Sequence, residues 1–460
     1  MNSVNYKVVR TLRCRNANIP GTLGKLATTI GECNAEIGNI GTIHIGHHFT
    51  IRDIEVLVDS DEEIKKLVDA VSKLREVSVI EVRDEVLELH NHGKIKMVNS
   101  IQINSIDVLQ KAYTPGVAEV SQLIAKESGW KNTYTSISSS VAMVTDGSAV
   151  LGLGNIGPEA AMPVMEGKAA LLCQLVGISG IPILLNTNDP KMIIETVENI
   201  APTFSGIHLE DIAAPRCFEI EAALENKLNI PVMHDDQRGT AVVTLAAVLN
   251  ACKRTQISLQ DAVIGVIGLG AAGFPTARYL FQYIGKPVLG ADKIDNNLMR
   301  HVKSGGIAST IDEIMKKANI VIAVTAVGGL ITPGMIRKGQ IILALSNPYP
   351  EIDAREALAS GAALAADGKM VNNLLSFPGV WRGTLDARAS KINFEMYQAA
   401  SLAIAQSADE GELLPNPLDP LMHLKVAHSV ARAAINSGVA QRNLDDDYFE
   451  NTDLRYLPDL

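Results

Sequence analysis

Two short stretches set paired carboxylates directly behind apolar runs. "SGIHLEDIAAPRCFEIE" places Glu210 and Asp211 after one run, and "LNIPVMHDDQRGTA" places Asp235 and Asp236 after another. Between them, "APRCFEIEAALENKL" has the length and apolar spacing of a helical crossover returning to a neighbouring parallel strand. Loops at the carboxyl ends of parallel strands share one edge, where ligands bind. Four acids gathered there would repel and raise one another's pKa unless a cation neutralised them. Hard divalent cations prefer such oxygen ligands, so Mg²⁺ or Mn²⁺ is the expected occupant. Either pair alone could instead cap the helix that follows it. Both pairs in the same register favour the metal.

Other stretches supply different chemistry. "QKAYTPGVAEV" carries Tyr113 ahead of a Pro-Gly turn, and the glycine-rich run ending "PEAAMPVMEGKAALLCQLVG" puts Lys168 at the expected start of an apolar helix. A Lys at the edge of apolar surface has a lowered pKa and can act as a base, although a single Tyr or Lys is more often a surface or packing residue. "GVIGLGAAG" spaces Gly268, Gly270 and Gly273 around Ala271 and Ala272, between a strand and a helix. Such glycines let the backbone approach a pyrophosphate at the helix N-terminus. Asp292 falls about 20 residues on, at the next strand's end, where an acid binds the ribose 2′-hydroxyl. NAD is therefore expected over NADP, with the cation of Lys293 keeping NADP open.

The elements that must position these groups divide the chain into parts. Residues 1–90 read as βαββαβ, the order of a ferredoxin-like unit. "YKVVRTLRCRN", "IGTIHIGHH", "TIRDIEVLVD" and "VSVIEVRDEV" are its strands, and "IPGTLGKLATTIGECNA" and "DEEIKKLVDAVSKLREV" its helices. Residues 91–250 open on a connector and then alternate strands with helices, which predicts a mainly parallel sheet. Residues 251–395 are expected to form a Rossmann-type unit, and 396–460 a helical segment packing back on the 91–250 unit. The fold class is α/β throughout.

Bulk properties narrow the function. The chain has 460 residues, a net charge of −10 and 47% hydrophobic residues, enough for several packed cores but without the basic surface that nucleic acid requires. Five scattered cysteines with no C-x-x-C spacing fit buried, reduced thiols. No signal-peptide core or membrane-length apolar run is visible, so a cytoplasmic protein is expected.

Taken together and in order, "AYTPGVAE", "VTDGSAVLGLGNIGPEAAMPVMEGKA", "GIHLEDIAAPRCFEIE", "HDDQRGTA", "GLGAAG", "LSNPYPEI" and "NNLLSFPGVWRGTLD" resemble the small bacterial malic enzymes across residues 111–390. The resemblance implies oxidation and decarboxylation of L-malate to pyruvate and CO₂ with NAD(P)⁺ and Mg²⁺ or Mn²⁺. It implies metal ligands at Glu210, Asp211 and Asp236 with Asp235 behind them, a base at Lys168 and an acid at Tyr113. It also places substrate contacts at Asn347 and Asn373, Asn347 lying beside the cofactor as well. Two positions depart from the expected pattern: Arg238 stands where the small enzymes are expected to carry His, and Ser148-Ala149 stands where the larger enzymes carry a substrate Arg. Residues 1–90 resemble an ACT domain, a module that binds amino acids or similar effectors. The implied effector site is Pro20, Gly21, Thr22 and Leu23 with Asn39 and Ile40; alternatively, Gly21 only serves the turn. A homo-oligomer is expected. The rival readings are a malolactic or oxaloacetate-decarboxylating enzyme on the same scaffold, or a degenerate effector sensor.

Overall fold

A computed structural model describes residues 8–150 and 152–450; Tyr6 and Lys7 of the first expected strand, and residues 451–460 of the C-terminal segment, lie outside them. The chain divides into two compact units between Lys96 and Met97.

In the first unit, strands β1 (Val8–Ala17), β2 (Glu36–Ile45), β3 (Phe49–Val58) and β4 (Val77–Arg83) form an antiparallel sheet in the order β2-β3-β1-β4. Its two main helices follow the expected βαββαβ order. Helix Thr22–Glu32 buries Thr22, Leu26 and Ile30, one residue per turn, and helix Asp61–Ser72 buries Ile64, Leu67 and Val71. Both stripes close on Leu12, Ile54, Val56 and Val58 of the sheet.

The second unit holds two parallel sheets. One orders its strands β6-β5-β7-β8, from β5 (Ser140–Thr145), β6 (Ser179–Leu184), β7 (Gly206–Leu209) and β8 (Val232–His234). Every residue of β5, β7 and β8 is buried, as a sheet covered on both faces demands. The other comprises β9 (Ile264–Ile267), β10 (Leu289–Ala291), β11 (Ile307–Ala308), β12 (Ile320–Ala323), β13 (Ile341–Ala344) and β14 (Leu364–Asp367). Its order β11-β10-β9-β12-β13-β14 is that of a Rossmann sheet.

Helices join the two sheets. Helix Asp235–Thr255 packs against Gly273–Ile284 of the nucleotide half and against Phe394–Gln406. All ten residues of helix Phe377–Asp386 are buried, and it packs on Pro420–Asn436 and Pro158–Val176. By contrast, helices Ile106–Ala112 and Val117–Lys126 bury none of their residues. Among the described residues no helix is long and apolar enough to cross a membrane.

Candidate active site

Strand register answers why two neighbouring strands end in acids. β7 and β8 run parallel with Leu209 opposite His234, so Glu210-Asp211 and Asp235-Asp236 leave the sheet edge side by side. Glu210, Asp211 and Asp235 are at most 2% exposed. The capping alternative does not hold for the second pair: His234 is the N-cap residue of helix Asp235–Thr255 and no side chain caps it. Asp236 Oδ2 instead accepts the Asp211 backbone N–H at 3.0 Å. Asp211 itself adopts φ 55°, in the left-handed region, as the chain turns sharply out of β7. Ligand atoms of Glu210, Asp211 and Asp236 lie within 4.8 Å of one another.

Lys168 is the cation that faces this cluster. Its Nζ lies 2.9 Å from Glu210 Oε2 and 2.5 Å from Asp235 Oδ2, over the Phe377 ring. Two expectations about it are corrected. The helix begins at Pro158, which is favoured in a first turn, so Lys168 sits mid-helix. Its pKa is also raised, not lowered: burial pulls it down, but Asp235, Glu210 and Asp236 outweigh that effect. Burial in turn pushes the carboxyls of Asp235 and Asp236 up, with Glu210 adding repulsion and Lys168 partly relieving it.

A buried imidazole fixes Glu210 from behind. Trp381 Nε1 donates to His208 Nδ1 at 3.0 Å, so the ring's proton sits on Nε2 and is donated to Glu210 Oε2 at 2.8 Å. Burial lowers the His208 pKa to about 3, keeping the ring neutral. With both nitrogens committed, His208 orients the carboxylate and is not a ligand. It was missed in the sequence, although i and i+2 on a strand share a face, which places it with Glu210. A second brace holds the loop after β7. Ser148 Oγ donates to Asp146 Oδ1 at 2.5 Å and accepts the Ala213 N–H at 2.9 Å, while Arg216 pairs with Asp146 at 2.9 Å. Arg238, whose role the sequence left open, forks Glu221 at 3.1 and 3.0 Å, and Glu221 accepts the His234 N–H at 2.9 Å. Arg238 thereby anchors the end of β8.

The residues present suit a divalent cation. Four carboxylates face one ammonium, an excess of buried negative charge that a divalent ion would neutralise. Glu210 Oε2 is occupied by Lys168 and His208, which leaves Oε1 for an ion.

The glycine loop fits a dinucleotide. Gly268 has φ +89°, and a Cβ at Gly273 would stand 1.8 Å from the Gly268 carbonyl oxygen, so neither position accepts a side chain. A Cβ at Gly270 would meet nothing within 4 Å, leaving open space before the uncapped N-terminus of helix Gly273–Ile284. Ala271 and Ala272 complete the loop. Asp292 follows β10, and its Oδ2 accepts the Leu269 N–H at 2.7 Å, which ties it to the loop. Asn347 follows β13 at the same sheet edge, its carbonyl close against Gly152, in a loop held by Glu351 through Ser346 and Thr325. Asn373 begins a one-turn helix beside Asp235–Thr255, where Ser376 Oγ bonds both the Asn373 and the Gly239 carbonyls.

Tyr113 makes no hydrogen bond to this cluster among the described residues. It is 67% exposed, and no described residue bonds its hydroxyl. In the first unit, Gly21 has φ +92° at the turn into helix Thr22–Glu32, where Thr22 Oγ1 donates to the Ile19 carbonyl at 2.9 Å. Pro20 and Leu23 flank that turn; Asn39 donates to Glu55 at 3.1 Å, and Ile40 is 45% exposed on β2, an edge strand.

Residues 90–225 match the family description "Malic enzyme, N-terminal domain". The chain is 51% identical over 432 residues to NAD-dependent malic enzyme 1 of Bacillus subtilis, spanning 94% of this chain and 98% of that protein. It is 38% identical over 443 residues to the NAD-dependent malic enzyme of Geobacillus stearothermophilus, spanning 91% and 92%. Among solved structures, the malic enzyme from Pyrococcus horikoshii superposes with a TM-score of 0.75 at 38% identity, covering 80% of this chain and 93% of that one.

Proposed function

The chain belongs to the malic enzyme family, and from that premise we propose that it oxidises L-malate and decarboxylates it to pyruvate and CO₂ while reducing NAD⁺. The observation that carries this reading is the meeting of Glu210, Asp211 and Asp236 beside Lys168 at the carboxyl edge of β7 and β8. Those three acids would hold Mg²⁺ or Mn²⁺, and the Gly268–Gly273 loop with Asp292 would hold NAD. When bound, the ion supplies Lewis-acid chemistry at the substrate oxygens and the nicotinamide accepts hydride.

The chain's own groups handle protons and position. Lys168 would accept the malate hydroxyl proton at Nζ, 2.5 Å from Asp235 Oδ2, in the neutral form that a bound divalent ion would favour by offsetting the surrounding carboxylates. His208 keeps Glu210 oriented without competing for the ion. Asn347 and Asn373 supply amides for the substrate carboxylates. Tyr113 is assigned the protonation of C3, and its exposure favours its delivery by a second copy of this chain. The helices either side of it, Ile106–Ala112 and Val117–Lys126, bury nothing within their own chain, as an arm that packs on a partner would. An acid at Asp292 favours NAD over NADP. The first unit is assigned an ACT-like effector role on its strand order and its Pro20–Leu23 turn.

Turnover of malate with NAD⁺ and Mg²⁺ should yield pyruvate and NADH in equal amounts. Lys168→Ala should lower kcat by about 10³-fold or more. Lactate without net NADH, or near-normal turnover by that variant, would overturn the assignment.

A further inference from the structure

We propose that a cavity among four helices of the second unit binds a zwitterionic α-amino acid with a hydroxylated aromatic side chain. Helices Arg216–Lys227, Asp235–Thr255, Gly273–Ile284 and Phe394–Gln406 line a space of about 420 Å³, within the range of small-molecule sites. Lys168, the four clustered acids and the glycine loop do not line it, so it is separate from the candidate active site. The chain has only eight Phe and nine Tyr, yet Phe218, Phe274, Tyr279, Phe394 and Tyr397 all line this space. Phe218 meets Phe274 edge to face at 5.5 Å, and Tyr279 meets Phe394 in the same way at 5.4 Å. Such pairs offer ring faces and edges against which a further ring packs favourably.

The charged groups of the mouth are unmatched in a way that fits one zwitterion. Arg238 and Glu221 satisfy each other through two hydrogen bonds. Glu225 and Arg278 remain. Arg238 reaches Glu225 only at 3.9 Å, and burial with repulsion from Glu221 pushes the Glu225 carboxyl up to about 7, as expected of a carboxylate short of a cation. Arg278 is exposed, and its guanidinium has no hydrogen bond or ion pair to a described residue. It acts on Glu225 through space without meeting it. An α-amino acid carries an ammonium and a carboxylate on one carbon, which supplies Glu225 with the first and Arg278 with the second.

The buried end of the cavity supplies an independent observation. Tyr397 is 5% exposed, and its hydroxyl has no hydrogen-bond partner among the described residues. The hydroxyl of Tyr279, by contrast, is met by Ser401 Oγ at 3.0 Å. An unmet buried hydroxyl is costly, and a hydroxyl on the far side of the ligand ring would satisfy it. The ligand then lies with its charges at the mouth, its ring among the aromatic walls and its hydroxyl on Tyr397. Helix Asp235–Thr255 opens on Asp235 and Asp236, and helix Gly273–Ile284 on the glycine loop, so the occupant touches both halves of the unit.

The test is calorimetric, so it does not depend on the malate reading. The full chain with Mg²⁺ and NAD⁺ is titrated with L-tyrosine and with three probes that each lack one group: tyramine without the carboxylate, 3-(4-hydroxyphenyl)propionate without the ammonium, and L-phenylalanine without the hydroxyl. L-Tyrosine should bind saturably, about 10-fold tighter than either singly charged probe and about 5-fold tighter than L-phenylalanine. Each preference should vanish in its matching variant: Arg278→Ala should no longer distinguish tyramine, Glu225→Gln the propionate, and Tyr397→Phe L-phenylalanine. Arg278→Ala should leave ligand-free malate turnover unchanged. Absence of saturable L-tyrosine binding, or a probe binding as tightly as L-tyrosine to the wild type, would overturn the proposal. So would binding indifferent to Arg278→Ala and Glu225→Gln, the result expected of a site in the first unit.

Discussion

Asp236 holds a position whose cost is visible without any ligand: it is raised in pKa by burial and by Glu210, and it faces further acids. Its removal should therefore have opposite effects in the two states of the protein. Asp236→Asn should raise the melting temperature of the metal-free protein by relieving repulsion. It should also erase the stabilisation that Mg²⁺ gives the wild type, about 2.7 kcal/mol at one hundred times Kd. Differential scanning calorimetry with and without Mg²⁺ reads both; an undiminished Mg²⁺ response would exclude Asp236 as a ligand. Glu225 offers a test away from the metal. Desolvation, and then Glu221, raises its pKa to about 7 from 4.5, although 34% of its side chain meets solvent. The folded state then binds more protons than the unfolded one between those values, so its contribution to stability is lost as pH rises from about 4.5 through 7. Glu225→Gln should leave stability near pH 4.5 unchanged and raise it at pH 8 by on the order of 1 kcal/mol, discounted for partial exposure. Equal effects of the replacement at both pH values would contradict the raised pKa.

Helix Phe377–Asp386 is the element on which most of the site depends. Its sequence, "FPGVWRGTLD", mixes aromatics with small residues, and Gly379 and Gly383 sit hard against Val426, Ala427 and Val430 of the neighbouring helix. That close approach carries Trp381 to His208, 173 residues away in the chain. Trp381→Phe keeps an aromatic but removes the indole donor, leaving His208 Nδ1 unmet and its tautomer free. A loss of about 1–3 kcal/mol in stability is expected, together with a fall in kcat of about 10-fold and little change in malate KM. A purely structural Trp would cost stability and leave kcat alone.

At the scale of the whole molecule, Tyr113 offers a test of whether two chains build one site. If it crosses to a partner's Lys168, two inactive variants should rescue one another. Equal amounts of Tyr113→Phe and Lys168→Ala protein, allowed to exchange subunits, should recover about a quarter of wild-type activity, because half the dimers would carry one intact site. Action within one chain would leave the mixture inactive. Ile103, Ile106, Leu109 and Val117 are all exposed in the single chain, and replacing Ile106 and Leu109 with Ser should weaken subunit association if the arm packs on a partner.

What the sequence determined is what local chemistry encodes. Period-2 and period-3.6 patterns located the βαββαβ unit and the parallel strands, because burial of one face leaves its spacing in the chain. Glycine spacing located the tight turn between β9 and helix Gly273–Ile284, since positions such as Gly273 have room for nothing else. The acid pairs were legible because each follows its strand directly, and one pairing, Leu209 with His234, brings them together. Tertiary structure decided what depends on distant groups. Lys168 is surrounded by apolar residues in its own helix, and only folding against Asp235 and Glu210 reversed the direction of its pKa. His208 became an orienting donor only through Trp381, Arg238 found its partner in Glu221, and Tyr113 stands exposed. Charge and hydrogen bonding act through space, so groups far apart in sequence set these properties, and no local pattern records them.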